Sequence, residues 1–283
     1  MIVDSVLSSS LTIKNNLPIV DEIKKDLTVD YIDYDKERII KKFYKLVDDI
    51  VLLPRYYKSD KVKFNYVKEK LTHGDDISID IKKDFQIRDD KIEVLNQISK
   101  HKNGIIKLPT GFGKTVLSVL RIAQLKKKAM IVVDREILLD QWKQSILNIT
   151  NLSEDDIGIY QGNKSELAKP VVIVMVQTLI SKLKQDPYRA ISEFYNANFG
   201  VTFVDEIHSI IGPDVYSDAR LVFFSEYLYG LSATPFRNID KETDIIKYCF
   251  GDIIVERTND VRPKVIFNLF KNTLPKKTYY YLT

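Results

Sequence analysis

From about residue 103 onward, short apolar runs alternate with segments of helical length, and no other feature of the sequence restricts the fold as strongly. This alternation is typical of a parallel sheet whose strands are joined by crossover helices. The pattern predicts buried strands at residues 104–108, 129–134, 170–176, 200–205 and 227–233, and helices at 115–124 and 136–148. Trp142, in the second helix, is predicted to anchor that helix to the sheet. The sequence therefore predicts an α/β domain with a parallel sheet flanked by helices.

Residues 1–82 have a different character. They are rich in Tyr, Lys and Asp, contain a helix start at Leu17-Pro18, and include an amphipathic segment near residues 36–47. Turn residues followed by alternating apolar residues at 72–83 place a boundary there. We expect a small α+β N-terminal domain at 1–82, followed by the α/β domain at 83–260.

Composition narrows the possible classes of protein. Hydrophobic residues at 45% and charged residues at 29% are typical of a folded globular chain. The only cysteine, Cys249, cannot form an internal disulfide, which favours a reducing compartment. The sequence contains no signal peptide and no apolar stretch of the roughly 20 residues that a membrane span needs. A cytoplasmic protein without membrane contact is expected, and its formal charge of +4 permits a polyanionic partner without requiring one.

A glycine-containing loop follows the first predicted strand and precedes a helix. Glycines let backbone N–H groups turn toward a phosphate, and a helix N-terminus adds partial positive charge. Lys114 is then expected to reach the outer phosphates of a nucleotide, and the Thr115 hydroxyl to bind Mg²⁺. The alternative is a tight strand-to-helix turn without a ligand. The loop residues expected to bind the nucleotide with Lys114 and Thr115 are Pro109, Thr110, Gly111, Phe112 and Gly113.

A pair of acidic residues follows the predicted strand at 200–205. Asp205 is positioned to hold the Mg²⁺ ion, and Glu206 to orient or deprotonate an attacking water. Without the phosphate loop, a solvated strand end would be the simpler interpretation. His208 follows closely, and on its own it would be interpreted as a hydrogen-bonded structural residue. With only three histidines and one cysteine in the chain, a zinc site of His and Cys ligands is not expected.

PTGFGKT, VDEIH and LSATP, in this order, resemble motifs I, II and III of the superfamily 2 helicases of the DExH type. The resemblance implies a RecA-like first motor lobe at 83–260 that hydrolyses ATP with Mg²⁺. VVDREILLDQW resembles motif Ia, and MVQTL resembles motif Ic. This implies nucleic-acid contacts at Asp134, Arg135, Gln177 and Thr178. It also implies that Ser232 and Thr234 couple the nucleotide site to strand binding, and that His208 hydrogen-bonds between motifs II and III.

The sequence departs from the family pattern in two respects. The position of the adenine-reading glutamine holds Lys91, and Arg88 is the remaining candidate to stack on the base. The family motor also has a second RecA-like lobe that supplies an arginine to the nucleotide. Residues 261–283 are expected to begin the linker to that lobe, so the chain alone should bind ATP and hydrolyse it slowly.

The form of motif Ia and the small N-terminal domain resemble DNA translocases more than RNA-remodelling proteins. The layout is most similar to phage-encoded helicases of the UvsW type, which unwind branched DNA and drive branch migration. This resemblance implies a branched or forked DNA partner, roles in DNA recombination, repair or replication, and a place in the host cytoplasm if the protein is encoded by a phage. Two alternatives share these motifs. One is the translocating subunit of a restriction or remodelling complex, and the other is a nucleotide-switched binding module without turnover.

Cations and aromatic rings lie close together near residue 55. Arg55, Tyr56, Tyr57 and Lys58 are a mixture seen in nucleic-acid contacts, and Arg55 is the candidate DNA contact of the N-terminal domain. A half-buried strand with a solvated face is an equally good interpretation of the same residues.

Overall fold

The computed structural model describes residues 1–32, 36–211, 217–235 and 241–258. The predicted segment 261–283 lies outside these residues. The elements in chain order are β1 (Ile2–Leu7), β2 (Ser10–Lys14), α1 (Val20–Asp26), β3 (Thr28–Ile32), β4 (Arg38–Lys42), β5 (Lys45–Val47), β6 (Ile50–Pro54), β7 (Lys63–Glu69), α2 (Asp89–Ser99), β8 (Asn103–Lys107), α3 (Lys114–Leu125), β9 (Ala129–Val133), α4 (Glu136–Ile149), β10 (Ile157–Gln161), β11 (Lys164–Ser165), β12 (Val171–Met175), α5 (Val176–Gln185), α6 (Pro187–Asn196), β13 (Val201–Val204), α7 (Ile207–Ile210), β14 (Tyr227–Ser232), α8 (Glu242–Phe250) and β15 (Ile253–Glu256).

The first part of the chain forms a five-stranded sheet in the order β5-β6-β2-β1-β7, and β3 and β4 form a separate hairpin. Apolar residues alternate along the inner strands, and Leu11, Ile13, Val51 and Leu53 are buried. The segment near residues 36–47, which the sequence marks as amphipathic, forms strands β4 and β5. Strand β7 lies at one edge of the sheet, and most of its side chains are exposed.

The second part of the chain forms an eight-stranded sheet in the order β11-β10-β12-β9-β13-β14-β8-β15. All its pairs are parallel except β10 with β11. The five predicted strands are β8, β9, β12, β13 and β14, and the two predicted helices are α3 and α4. The predicted α/β class is therefore confirmed. Strands β10, β11 and β15 extend the sheet beyond the prediction.

The parallel register brings the carboxyl ends of the central strands to one edge. Val204 pairs with Val132 of β9, and Ser232 of β14 pairs with Lys107 of β8. Ligands of open α/β sheets bind outside this edge, where the loops after neighbouring strands meet. The loops after β8, β9, β13 and β14 carry the residues that the sequence singles out.

Apolar residues of the sheet pack on both of its faces. Along β9, Ala129, Ile131 and Val133 face a core that includes α2, α3 and α4. Met130 and Val132 face the opposite core, which extends into the N-terminal sheet. This alternation explains why the strand sequence is continuously apolar.

Two buried arginines join the N-terminal sheet to the segment between β13 and β14. Arg55 donates to the backbone oxygens of Phe223 and Ser225, at 3.3 and 2.7 Å. Arg220, which lies between β13 and β14, donates to two groups of the N-terminal part: the Phe43 oxygen at 3.1 Å and Ser10 Oγ at 3.3 Å. Both guanidinium groups are buried, and burial lowers the pKa of each. We name this reciprocal arrangement the arginine clasp.

Residues 72–82 run along the eight-stranded sheet and its helices. Thr72 donates through Oγ1 to the Phe199 oxygen at 2.5 Å, and the Ile77 amide donates to the Lys126 oxygen at 3.0 Å. Ile81 forms an isolated bridge with Thr150. Division of the chain at residue 82 stays a prediction. In the part of the chain that the structure describes, no helix is both long and apolar enough to cross a membrane.

Candidate functional site

The loop between β8 and α3 has the backbone that a phosphate site requires. Gly111 and Gly113 adopt positive φ angles of 79° and 93°, which side chains with a Cβ rarely tolerate. A Cβ atom at Gly111 would meet no atom within 4 Å, so the space beside it is open. Helix α3 begins at Lys114, directly after Gly113. The helix N-terminus therefore adds its partial positive charge at the loop.

Lys114 connects this loop to the acidic residues after β13. Its ammonium group lies 3.6 Å from Glu206 Oε1 and donates to the Leu108 oxygen at 3.4 Å. The side chain is only 12% exposed. A mostly buried cation beside an open backbone cradle is suited to bind a polyanion.

Asp205 is buried at the end of β13, and both carboxylate oxygens accept hydrogen bonds. The Glu206 amide donates to Oδ1 at 3.0 Å, and the Trp142 indole N–H donates to Oδ2 at 2.9 Å. Burial raises the pKa of the Asp205 carboxyl; the Trp142 donor opposes this shift, and the neighbouring Glu206 charge adds to it.

Glu206 has a left-handed backbone conformation, with φ 45° and ψ 59°. Such a conformation costs about 1 to 2 kcal/mol for a residue other than glycine, and it is often found at functional sites. The carboxylate lies between Lys114, Ser232 and His208, with Ser232 Oγ donating to Oε2 at 3.3 Å and His208 Nδ1 at 3.4 Å from the same oxygen.

His208 and Ser232 join the loops after β13 and β14. His208 Nδ1 lies 3.0 Å from Ser232 Oγ, and the Thr234 amide donates to the same hydroxyl at 3.1 Å. Ser232 is fully buried, whereas Thr234 is exposed. The structure thus brings His208 and Ser232 together as the resemblance implies, with Thr234 held through its backbone.

A cavity of about 260 Å³ borders the phosphate loop on its other side. Lys91 is 7% exposed there, and its ammonium group lies 3.8 Å from the centre of the Phe112 ring. Arg88 also lines the cavity, but its side chain is 74% exposed and forms two hydrogen bonds with Asp90. Lys91 also donates to Asp90 Oδ2 at 3.1 Å, so both cations that line the cavity are paired with Asp90.

The residues expected to contact nucleic acid lie at the same sheet edge, after β9 and β12. Arg135 is exposed, and its Nε lies 3.8 Å from Asp134 Oδ2. Gln177 donates to the Asp134 backbone oxygen at 2.6 Å, and Thr178 Oγ1 accepts the Gly162 amide at 2.9 Å. Asp134 is mostly buried, and its Oδ1 is without a partner among the described residues. Arg135, Gln177 and Thr178 therefore form a polar rim, which Asp134 supports.

Arg55 does not belong to this or any other exposed surface. It is only 3% exposed, and its guanidinium belongs to the arginine clasp. The prediction that Arg55 contacts DNA is wrong, because its partners are backbone oxygens in the middle of the fold.

Sequence reasoning missed the contact of Trp142 with Asp205. The prediction that Trp142 anchors α4 to the sheet is consistent with its burial, since the side chain is 1% exposed. The only signal for the polar contact was the need of a buried indole N–H for an acceptor. The sequence offers no means of choosing Asp205, which lies 63 residues away.

The oxygen groups at this edge fit a magnesium ion. Mg²⁺ is usually bound through one or two carboxylates together with phosphate oxygens and water. Each Asp205 oxygen accepts one N–H hydrogen bond and retains further acceptor capacity. Thr115 is half-buried at the start of α3. Over residues 1–32, 36–211, 217–235 and 241–258, no group of three or more His, Cys, Asp or Glu side chains is arranged to hold a metal by itself.

Residues 81–237 match the family model described as "Type III restriction enzyme, res subunit", or ResIII. The match covers more than half of the chain and includes the phosphate loop, both carboxylates and Ser232. The chain belongs to the ResIII family. The ResIII match, together with the relatives below, confirms the predicted membership of helicase superfamily 2.

Two relatives are similar over large parts of the chain. The general transcription and DNA repair factor IIH helicase/translocase subunit XPB of Enterocytozoon bieneusi is 25% identical over 86% of the chain, and the match covers 39% of that relative. The DNA 3'-5' helicase XPB of Kineococcus radiotolerans is 29% identical over 61% of the chain and 30% of its own length. The chain thus spans well under half the length of these relatives.

A solved structure shares the fold. The crystal structure of the UvsW helicase from bacteriophage T4 aligns with 89% of the chain and 99% of its own, with a TM-score of 0.59 and 17% identity. At this identity the likeness concerns the fold alone, and it confirms the predicted RecA-like architecture.

Proposed function

We propose that this ResIII chain binds ATP at the loop between β8 and α3 and hydrolyses it to drive movement on DNA. One observation carries the proposal: Lys114 and Glu206 lie 3.6 Å apart at the edge where β8, β13 and β14 end. A phosphate-binding cation and a carboxylate that can accept a proton thereby meet at one point.

In the proposed reaction, backbone N–H groups of the loop and Lys114 bind the phosphates and orient the terminal one. Thr115 and Asp205 would hold a Mg²⁺ ion, which would neutralise part of the phosphate charge. Glu206 orients a water molecule and accepts its proton as the water oxygen bonds to the γ-phosphorus and the bond to the ADP oxygen breaks. Burial of Asp205 and Lys114 strengthens these electrostatic contacts.

The coupling of hydrolysis to DNA is proposed to pass through Glu206, His208 and Ser232. These side chains lie within 3.4 Å of one another, so release of phosphate changes the environment of the loop after β14. Arg135, Gln177 and Thr178 are the proposed contacts to the DNA backbone, since they lie at the same edge. Support for DNA comes from the relatives, whose names describe DNA helicases.

Within this class we propose branched or forked DNA as the substrate, in recombination, repair or replication. The support is the N-terminal sheet, which adds a second surface beside the motor, and the fold shared with a phage helicase. We also propose that a second RecA-like lobe of the whole protein completes the ATP site, as in the family, so that the chain by itself turns over slowly.

The first experiment separates nucleotide binding from turnover. Glu206→Gln should bind a fluorescent ADP analogue as tightly as the unmodified chain. It should lower DNA-stimulated ATP hydrolysis by about 10² to 10⁴-fold, because the proton acceptor is lost. Asp155→Asn, at an exposed acidic residue in the turn before β10, serves as the control and should leave hydrolysis unchanged. Undiminished hydrolysis in Glu206→Gln would remove Glu206 from this role.

The second experiment tests the substrate. The affinity of the chain is measured for a DNA fork, a linear duplex, a single DNA strand and a matched RNA strand at one salt concentration. The proposal expects the fork to bind at least several-fold more tightly than the others. Equal binding, or a preference for RNA, would retain the ATP site and reject branched DNA as the substrate.

A second candidate function is a translocating subunit that moves on duplex DNA without separating its strands. It is favoured by the ResIII match itself, which is described by a restriction enzyme subunit. Displacement of a third strand from a triplex without unwinding of a fork would favour this function over a helicase.

A further inference from the structure

The side chain of Trp142 ends at the proposed metal-binding carboxylate. Its indole N–H donates to Asp205 Oδ2 at 2.9 Å. The tryptophan is 1% exposed and Asp205 is 6% exposed, so the hydrogen bond is shielded from water. It joins α4 to the end of β13 through two residues that are 63 positions apart in the sequence.

This hydrogen bond restricts the orientation of the carboxylate. The Glu206 amide holds Oδ1 from the loop, and Trp142 holds Oδ2 from the helix. With one donor fixed on each oxygen, rotation of the carboxyl group would break a buried hydrogen bond, which costs about 1 to 3 kcal/mol. Removal of a group that hydrogen-bonds to a metal ligand typically lowers metal affinity or activity by about 10 to 100-fold.

We propose that Trp142 is a positioning residue for Asp205: its indole N–H holds the carboxylate in the orientation that receives the Mg²⁺-nucleotide. The inference rests on the proposed function, because it requires a nucleotide at the adjacent loop. Trp142 itself does not touch the reacting atoms, and it acts only through Asp205.

The chain contains a single tryptophan, so its tryptophan emission reports on the surroundings of this one indole, which include Asp205. Addition of Mg²⁺ with ADP to the unmodified chain should shift or quench the emission, because the charge beside the indole changes. ADP in the presence of EDTA should have a much smaller effect. In Asp205→Asn, the response to Mg²⁺ should be lost, since the amide does not attract the ion.

The matched variant is Trp142→Phe, which retains an aromatic ring and loses the donor. The Mg²⁺ concentration for half-maximal binding of a fluorescent ADP analogue should rise about tenfold. Affinity for the analogue in EDTA should stay within twofold, because the phosphate loop is unchanged. Tyr229→Phe is the control: it loses the partly buried hydrogen bond to the His101 oxygen, just before β8, and should leave the Mg²⁺ dependence unchanged.

The outcomes separate the two proposals. If the unmodified chain binds no nucleotide at any Mg²⁺ concentration, the ATP site and the role of Trp142 both fail. If it binds nucleotide with Mg²⁺ but its tryptophan emission does not respond, the positioning role alone is rejected. The same conclusion follows if folded Trp142→Phe has the Mg²⁺ dependence of the unmodified chain. Because the emission test needs no substitution at Trp142, poor folding of the variant leaves the inference open to refutation.

Discussion

Lys114 is the residue on which the nucleotide site most depends, since its ammonium group lies between the phosphate loop and Glu206. Lys114→Ala should weaken binding of a fluorescent ADP analogue at least tenfold, because the buried cation that faces the phosphates is removed. Lys184→Ala, at an exposed position near the end of α5, should leave binding unchanged. Equal affinity in the two variants would mean that the loop does not bind phosphate.

We expect Lys91 to influence which base the nucleotide site prefers. Its ammonium group only donates hydrogen bonds, so it can pair with the O6 and N7 acceptors of guanine but cannot accept from the 6-amino group of adenine. Lys91→Gln adds an acceptor for the amino group of adenine. We expect the ratio of ATP to GTP affinity to rise several-fold in this variant, as measured by competition with a fluorescent nucleotide. A ratio unchanged by the substitution would show that the base does not contact residue 91.

At the scale of elements, the arginine clasp holds the segment between β13 and β14 against the N-terminal sheet. Arg220→Ala would leave the Phe43 oxygen and the Ser10 hydroxyl without a buried donor, and it would open a cavity. The free energy of unfolding should fall by about 2 kcal/mol or more. Urea denaturation followed by circular dichroism measures this loss. Arg189→Ala, at a guanidinium that is 76% exposed, should have little effect and serves as the control.

Some strands of the eight-stranded sheet can be predicted from the sequence, and others cannot. Strands β8, β9, β12, β13 and β14 are apolar throughout because both faces of the sheet are covered, and this pattern is visible locally. The loops that follow them carry the phosphate-binding and acidic residues at recognisable spacing. Strands β10 and β15 lie near the two edges of the sheet and are only partly buried, so neither gives a continuously apolar pattern.

Local sequence patterns do not predict contacts between residues that are far apart in the chain. Arg55 beside three aromatic or basic residues resembles a nucleic-acid contact, but its partners lie about 170 residues away in the sequence and are backbone oxygens. Trp142 and Asp205 are likewise joined only by the sheet topology. Burial depends on such long-range packing, and a residue's neighbours in sequence do not determine it.

At the scale of the whole molecule, one apolar core includes residues of both sheets. Leu11 and Leu53 of the N-terminal sheet belong to the same cluster as Phe223 and Phe250 of the motor. The two parts should therefore unfold together. Urea denaturation followed by Trp142 fluorescence, which reports on the motor, should have the same midpoint as denaturation followed by circular dichroism. Two separated transitions would mean that the N-terminal sheet folds independently.

The arginine clasp also has a consequence for how such motors diversify. The segment it holds, residues 217–225, lies within the stretch of chain between Glu206 and Ser232. An N-terminal sheet transplanted onto a different ResIII motor would thus lack its attachment unless this segment came with it. Exchange of the accessory unit by recombination is expected to fail at a junction near residue 82 and to need a second, internal crossover within the motor gene.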